Sequence, residues 1–387
     1  MCLRGLSGNL WPIHIRPFQE ELLSSWLFRL AHGHGMKLQT FTSSIFGREK
    51  SIWNRDVDKL APDWLVNGLA SHIGITQSLA WESTLKSYEG IVYENHQANG
   101  NTRWIIPLGV YHRTHRWYGL QYCPLCLAEG EVPYFRKQWR LAFYTECTSH
   151  QVLLNDRCPF CGSAINFHRA EMGDRFQIDG PIASCFCCGY DLRCSPRQYT
   201  KCPDTRVNAA YRSLMQTFHF GWARVENMEF QFTHLLFDVL HHLCKLFGTK
   251  RRAGWLLPYV LGQMSLGASV STYPRGTIFE KRSIEDRQTY LYSALWLLLD
   301  WPDRFISACK HLDLSSAYLS PDFPQVPYWF DCVLEDKLNN SVYSPTNREI
   351  LETGNWLMSQ GIEPTRAAIS RVLGYTPLRK RDFTDNS

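Results

Sequence analysis

Between residues 123 and 189 the chain reads CPLC (123–126), CTSH (147–150), CPFCG (158–162) and CFCCG (185–189). Each pair holds two residues between its donors, and this gap lets one tight turn present both donors to the same ion. Zinc takes four sulfur or nitrogen donors in a tetrahedron, so eight donors predict two closed structural zinc sites. The predicted ligands are Cys123, Cys126, Cys147, His150, Cys158, Cys161, Cys185 and Cys188.

Disulfide bonds and catalytic zinc explain these pairs less well than structural zinc. Disulfides belong to oxidising compartments, and the first residues, MCLRGLSGNLWPIHIRPF, lack the apolar run of a signal peptide. Catalytic zinc keeps one coordination position open, whereas each set here has four donors. The deaminase pattern, H-x-E with P-C-x-x-C, is also absent from the sequence.

The grouping of the eight donors stays open at this point. Gaps of 20 and 23 residues favour two sequential ribbons, one ending at His150 and the other beginning at Cys158. A cross-braced arrangement would instead join the first pair with the third. Cys187 lies between two predicted ligands and could replace one of them.

The composition is that of a folded protein with more than one domain. The chain has 387 residues, of which 44% are hydrophobic and 14% aromatic, and its formal charge is +5. That charge is compatible with a nucleic-acid partner but does not require one. No apolar run reaches the ~18 residues of a membrane helix, so we expect a cytoplasmic, nucleoid-associated protein without a membrane partner.

The expected fold is mainly α with small β zinc ribbons. Three domains are predicted: an N-terminal helix-turn-helix-like domain (1–118), tandem zinc-ribbon modules (119–203) and a C-terminal helical domain (204–387). The N-terminal prediction rests on helical apolar stripes at 18–31 and 37–46 with glycines between them. An ordinary helical hairpin would show the same pattern.

Two further segments are rich in aromatic residues. The segment 103–118 interleaves them with arginine and histidine, which suits either contact with nucleic acid or packing on the first zinc module. The segment 134–144 has recurring aromatic residues, which predict a strand within the ribbon.

Apolar residues in the C-terminal part recur with helical spacing, which predicts helices at 230–247, 286–299 and 305–312. A terminal helix pair is predicted at 348–359 and 365–373, with a break at Gly361. If this pair is a helix-turn-helix, basic residues on and after its second helix would contact DNA; a solvated charged end is the alternative. The predicted nucleic-acid-binding residues are Arg366, Arg371, Arg379, Lys380 and Arg381.

Five short motifs recur in one order in a known family: the segment from Glu21 to Ala31, Trp139-Arg-Leu, Cys147-Thr-Ser-His150, Leu153-Leu154 and Arg157-Cys-Pro-Phe-Cys-Gly162. With these motifs the sequence resembles the TniQ/TnsD family of Tn7-like transposons. The resemblance covers about the first half of the chain. It implies a target-selection adaptor that recruits an AAA+ ATPase regulator of the TnsC kind to target DNA.

The resemblance also implies how the target is chosen. Some members of the family read an attachment site directly, as TnsD proteins do, and others sit on a CRISPR-associated Cascade complex with its guide RNA. TnsD-type members tend to be longer, so a chain of 387 residues favours the effector-docked kind. Members of that kind form homodimers, which implies a dimer here.

Recognisable catalytic motifs are missing from the sequence. It contains no G-x4-G-K-[ST] phosphate loop, no G-x-S-x-G and no H-E-x-x-H, so no catalytic residue is predicted. Three function classes remain: a transposition adaptor, which we favour, a stand-alone DNA-binding regulator, and a nuclease or transposase.

Overall fold

The computed structural model describes residues 10–50, 52–169, 181–199, 202, 204–223, 231–267, 270–323, 325–339 and 345–374. α-Helices dominate this part of the chain, which confirms the mainly helical prediction. The first six are α1 (Leu23–Gly33), α2 (Leu38–Phe46), α3 (Val57–Leu60), α4 (Asp63–Ile73), α5 (Gln77–Trp81) and α6 (Pro124–Ala128). The others are α7 (Thr205–Thr217), α8 (Thr233–Phe247), α9 (Leu256–Gln263), α10 (Ile284–Leu298), α11 (Asp303–His311), α12 (Ser316–Leu319), α13 (Tyr328–Leu338), α14 (Asn347–Ser359) and α15 (Arg366–Leu373).

Helices α1 and α2 form where the apolar stripes predict them. The stripe of α1 is fully buried, from Leu22 to Leu30, and Gly35 takes the positive φ of the turn that leads to α2. Two consecutive helices are therefore present near the N-terminus, and a DNA-binding helix-turn-helix there stays a prediction. Among the described residues, no helix combines the length and the apolar character needed to cross a bilayer.

Strand structure in the described ranges is sparse. β1 (Val110–Tyr111) pairs antiparallel with β2 (Thr114–His115), and β3 (Trp222–Ala223) pairs antiparallel with β4 (Gln231–Phe232). Around the cysteine pairs there are only isolated bridges, such as Tyr122 with Asn155 and Arg157 with Ala164. Where the sequence predicted β-ribbons at the zinc sites, the described residues thus form only isolated β-bridges.

The strand predicted at 134–144 is wrong. Lys137–Arg140 forms a 3-10 turn, and the chain beside it makes only isolated bridges, of Arg136 with Glu21 and of Leu141 with Ile105. Consecutive residues from 137 to 144 are all buried, with no alternation between a core face and a solvent face. The segment crosses the interior, where its aromatic residues pack on several neighbours.

One apolar core runs through the chain from Leu22 to Leu338. Trp104 is fully buried in this core, and its indole N–H donates to the carbonyl of Phe237 in α8 at 3.1 Å. The backbone N–H of Trp104 donates to the buried carboxylate of Glu280 at 2.8 Å. The N-terminal part is therefore joined to the C-terminal helices by buried contacts.

Arg287 makes a second buried connection between these parts. Its side chain is 1% exposed and extends from α10. Nη1 donates to the carbonyl of Ala142 at 2.8 Å, and Nη2 donates to Oε1 of Gln121 at 2.9 Å. The predicted boundary at 203/204 is thus crossed by buried hydrogen bonds, and the division into three domains stays a prediction.

A buried ionic network also crosses the predicted boundary at 118/119. Arg140, which is fully buried, pairs with Asp56 (Nη2 to Oδ2, 2.6 Å) and with Asp58 (Nη1 to Oδ2, 3.3 Å). The N–H and hydroxyl of Ser24 donate to the two carboxylate oxygens of Asp58 at 2.7 and 3.0 Å. Burial raises the pKa of Asp58 to about 7, although the Arg140 charge lowers it. Asp58 therefore joins α3 to the start of α1, and Arg140 joins this pair of helices to the segment 137–140.

The terminal helix pair forms as predicted, at α14 and α15. Thr346 and Glu349 make a capping box at the start of α14, and Gly374 ends α15 in the left-handed conformation. Of its residues only Gly354 and Leu357 are buried, and both are in α14. This pair consequently has little apolar core of its own.

Candidate metal centres

The first donor cluster consists of Cys123, Cys126, Cys147 and His150. Cys123 caps α6 and Cys126 follows within its first turn, so one short helix positions both sulfurs. Nδ1 of His150 lies 3.5 Å from the sulfur of Cys123 and 3.4 Å from those of Cys126 and Cys147. The sulfurs of Cys126 and Cys147 are 3.5 Å apart. The three cysteines are buried.

The second cluster consists of Cys158, Cys161, Cys185 and Cys188. Its sulfur–sulfur distances are 3.6 Å for Cys158 and Cys188 and 3.6 Å for Cys161 and Cys185. Two similar turns present these sulfurs, and each ends in a glycine, at 162 and 189, with φ of +69° and +75°. Cys161 and Cys188 are exposed, so this cluster is nearer the surface than the first.

The grouping is sequential, because the first and second pairs meet in one cluster and the third and fourth pairs in the other. Cys188, and not the exposed Cys187, takes part in the second cluster. All donor atoms of a cluster lie within 4.8 Å of one another.

The donor geometry fits zinc. Zinc–sulfur bonds of about 2.3 Å and zinc–nitrogen bonds of about 2.0–2.1 Å, at tetrahedral angles, place neighbouring donors roughly 3.5–3.8 Å apart. The measured distances of 3.4–3.6 Å match this spacing and are much longer than a disulfide bond. Two Cys/His clusters are thus compatible with two metal sites. We propose that these eight residues bind two zinc ions.

Comparison with known proteins places the first cluster within a recognised domain. The TniQ family model matches residues 12–154, a range that includes all of the first cluster and ends before Cys158. The chain carries a TniQ domain. No curated protein matches the chain.

The TniQ domain holds its histidine donor through a carboxylate that the sequence analysis did not identify. Nε2 of His150 donates to Oε1 of Glu129 at 2.6 Å, so Nδ1 is left to face the three sulfurs. Such a partner fixes the tautomer and orientation of the ring. Glu129 directly follows α6, the helix of Cys123 and Cys126. Only its position after a C-x2-C pair could have indicated it, and that signal is weak.

We expect Glu129→Ala to weaken zinc binding at the first cluster by about 10- to 100-fold, because the imidazole loses its orienting partner. Competition with a chromophoric chelator should show one of the two ions leaving at lower chelator concentration. The matched control is Glu131→Ala, which removes an exposed carboxylate two residues away. Equal chelator curves for the two variants would contradict an orienting role for Glu129.

Two of the residues predicted to bind nucleic acid lie on the terminal helix pair. Arg366 and Arg371 are exposed on α15, and Arg379, Lys380 and Arg381 lie outside the described residues. Their contact with DNA stays a prediction.

The basic and aromatic segment 103–118 includes the β1–β2 hairpin. The N–H of His115 donates to Oδ1 of Asn166 at 2.7 Å, and Nε2 of His168 donates to the carbonyl of Arg113 at 2.9 Å. The hairpin therefore packs on residues 166–168, which follow the third donor pair, whereas packing on the first zinc module had been one of the two expectations.

Proposed function

We propose that this protein is a non-catalytic adaptor for target-site selection in DNA transposition. The TniQ domain at residues 12–154 is the observation that supports the proposal, because this domain implies a transposition-associated target-selection protein. In the proposed role the chain links an RNA-guided Cascade effector to an AAA+ regulator of the TnsC kind. ATP hydrolysis then belongs to that partner, since the sequence has no phosphate loop.

Structural zinc would stiffen the adaptor without taking part in chemistry. Cys123, Cys126, Cys147 and His150 would hold one ion, and Cys158, Cys161, Cys185 and Cys188 would hold the other. Four protein donors close each site, so the ion would lock the turns around it. The buried hydrogen bonds of Trp104 and Arg287 would then hold surfaces from both halves of the chain at constant separation.

The terminal helix pair is the surface that we assign to dimer and effector contacts, while the N-terminal helices engage the ATPase. Large apolar side chains are exposed on this pair, which supports the assignment. They are Leu351, Trp356, Met358, Ile362 and Val372. Mass photometry of the purified chain tests the dimer.

The adaptor function is tested by pull-down with the full chain, because the buried contacts across 203/204 argue against separate halves. We expect the tagged chain to retain both the AAA+ ATPase and the Cascade complex, and the ATPase to reach Cascade only when the chain is present. Loss of both interactions would contradict the adaptor.

A TnsD-like protein that recognises an attachment site directly, or a stand-alone DNA-binding regulator, is the alternative. Either is distinguished by tight, sequence-specific duplex binding of the chain alone. Ala substitutions at Arg366 and Arg371 should then lower the log–log salt slope by about 0.9 for each lost phosphate contact.

A further inference from the structure

A polar cleft opens on the surface of the TniQ domain, beside the β1–β2 hairpin. Its volume is about 470 Å³, and its walls come from residues 54–60 and 98–110 together with Trp117. Two cationic side chains, Arg55 and Lys59, and three amides, Asn54, Asn99 and Asn101, line it. The cleft lies apart from both donor clusters, whose residues are not among its walls.

Lys59 gives the cleft a buried cation with unused donors. Its side chain is 6% exposed, and Nζ donates to the carbonyl of Gly100 at 2.5 Å. No ion pair joins Lys59 to a carboxylate in the described part of the chain, and burial lowers its pKa. Asp56 also lines the cleft, but Arg140 occupies both of its oxygens at 3.1 and 2.6 Å. An ammonium has three donors, so an anion in the cleft would satisfy those that remain.

Arg55 adds a second cation at the cleft. Its side chain is exposed, and Nη1 donates to Oδ1 of Asn99 at 3.2 Å. A guanidinium has five donors in a planar fork that matches the oxygens of a phosphate. Among the described residues, the bond to Asn99 is the one side-chain hydrogen bond that joins this guanidinium to a named partner.

The cationic surface continues from the cleft onto the hairpin. Trp117 forms one wall and is 41% exposed, and the ammonium of Lys281 lies 3.6 Å from its ring centroid. Tyr111 in β1 is 51% exposed, and the guanidinium of Arg116 lies 3.6 Å from its ring centroid. Neither cation is ion-paired within the residues described, and contact with a ring limits the rotamers of each. Two cations, Lys59 and Arg55, thus line the cleft, a third, Lys281, lies on the ring of its wall residue Trp117, and a fourth, Arg116, lies on the adjoining hairpin.

We propose that the cleft and the hairpin bind single-stranded nucleic acid. One nucleotide would enter the cleft, with its phosphate on Lys59 and Arg55, and the phosphates that follow would lie on Lys281 and Arg116. A cleft of about 470 Å³ is in the size range of small-ligand sites, about 300–1,000 Å³, and is large enough for a nucleotide. Amides at the rim offer donors and acceptors to a base edge, which a single strand exposes and a duplex keeps paired.

This inference rests on the proposed function only in that a target-selection protein works beside nucleic acid. The binding is a property of the purified chain, so its failure would leave the adaptor function intact. Equally, a chain that binds neither the ATPase nor Cascade could still bind a single strand.

The test is fluorescence anisotropy of the full chain with a labelled 20-nucleotide single strand, as DNA and as RNA, and with the matching duplex. The variant Arg55→Ala/Arg116→Ala removes two exposed cations and should keep the native melting temperature. We expect its affinity for the single strand to fall at least 10-fold and its log–log salt slope to fall by about 1.4, or about 0.7 for each contact.

The matched control is Arg206→Ala/Arg252→Ala, which removes two exposed arginines that are ion-paired to Asp300 and Asp313. It should bind like the unmodified chain. Equal losses in the two double variants, preference for the duplex, or no binding by the unmodified chain would each overturn the proposal.

Two further measurements keep the result specific to this surface. Ultraviolet crosslinking of the bound strand should modify peptides that cover residues 98–118. Competition with a nucleoside monophosphate should require far higher concentrations than competition with the unlabelled strand. A monophosphate that competes as well as the strand would place the ligand in the cleft alone and overturn the part assigned to the hairpin.

Discussion

The variant Cys126→Ser is expected to retain one zinc ion per chain in place of two and to be recovered as aggregated or protease-sensitive protein. The Cys126 sulfur of the unmodified chain is buried and lies within 3.5 Å of two other donors. Its removal therefore leaves an under-coordinated ion or a cluster of thiols in the core. Structural zinc binds zinc-finger peptides with about 10–16 kcal/mol. That is comparable to the whole stability of a typical domain, about 5–15 kcal/mol. Elemental analysis and thermal unfolding measure both effects.

Cys187→Ser is the matched control for ligand loss, because Cys187 is an exposed cysteine between two proposed ligands of the second cluster. It should purify with two zinc ions per chain and an unchanged melting temperature. Cys161→Ser should lose the other ion, from the cluster nearer the surface. A metal content near zero in folded, unmodified protein would refute the zinc assignment for both clusters.

Arg140→Met is expected to lower the free energy of unfolding by about 3–5 kcal/mol, as is typical when one partner of a buried ion pair is removed. The methionine fills part of the space of the arginine. Asp56 and Asp58, however, lose the positive charge of Arg140, whose nitrogens lie 2.6 and 3.3 Å from their carboxylate oxygens. Urea denaturation at pH 8 measures the loss. Arg206→Met removes an exposed arginine that pairs with Asp300, and it should cost less than about 1 kcal/mol.

The dependence on pH separates lost charge pairing from lost packing in Arg140→Met. Burial already raises the pKa of Asp58 to about 7, and loss of the Arg140 charge raises it further. A carboxyl group whose pKa is higher in the folded state binds more protons there, so stability falls as pH rises from about 4 through the folded-state pKa. The deficit of the variant should therefore shrink between pH 8 and pH 5, and a second substitution, Asp58→Asn, should restore part of it at pH 8. A deficit that is constant with pH would indicate packing alone.

The donor clusters could be predicted from the sequence because their chemistry is local. Two residues between donors, followed by Gly162 or Gly189, describe one turn completely, and the structure brings these turns together in sequential order. The apolar stripe of α1 could be predicted equally well, because the side of the helix that packs on the core recurs in the sequence with the helical period. In both cases, neighbours in sequence are also neighbours in space.

Features that depend on distant segments could not be predicted. Residues 137–144 of the predicted strand are all buried, so the apolar pattern there has no period that would distinguish a strand from a turn. Lys59 is an ordinary lysine in the sequence, and its burial beside Gly100 follows only from the way the chain folds back. Glu129 likewise becomes informative only when His150 is seen to contact it.

The buried hydrogen bonds of Trp104 and Arg287 limit which segments could be exchanged between this chain and a relative. A crossover that replaced residues 12–154 by those of a divergent relative could change Trp104 and Gln121, whose side chains bond to Phe237 in α8 and Arg287 in α10. Each lost bond would leave a buried donor or acceptor without a partner, which lowers stability by about 1–3 kcal/mol. Successful hybrids should therefore inherit α8 and α10 together with the TniQ domain. Grafts of new specificity belong on the exposed β1–β2 hairpin, where these buried bonds are left intact.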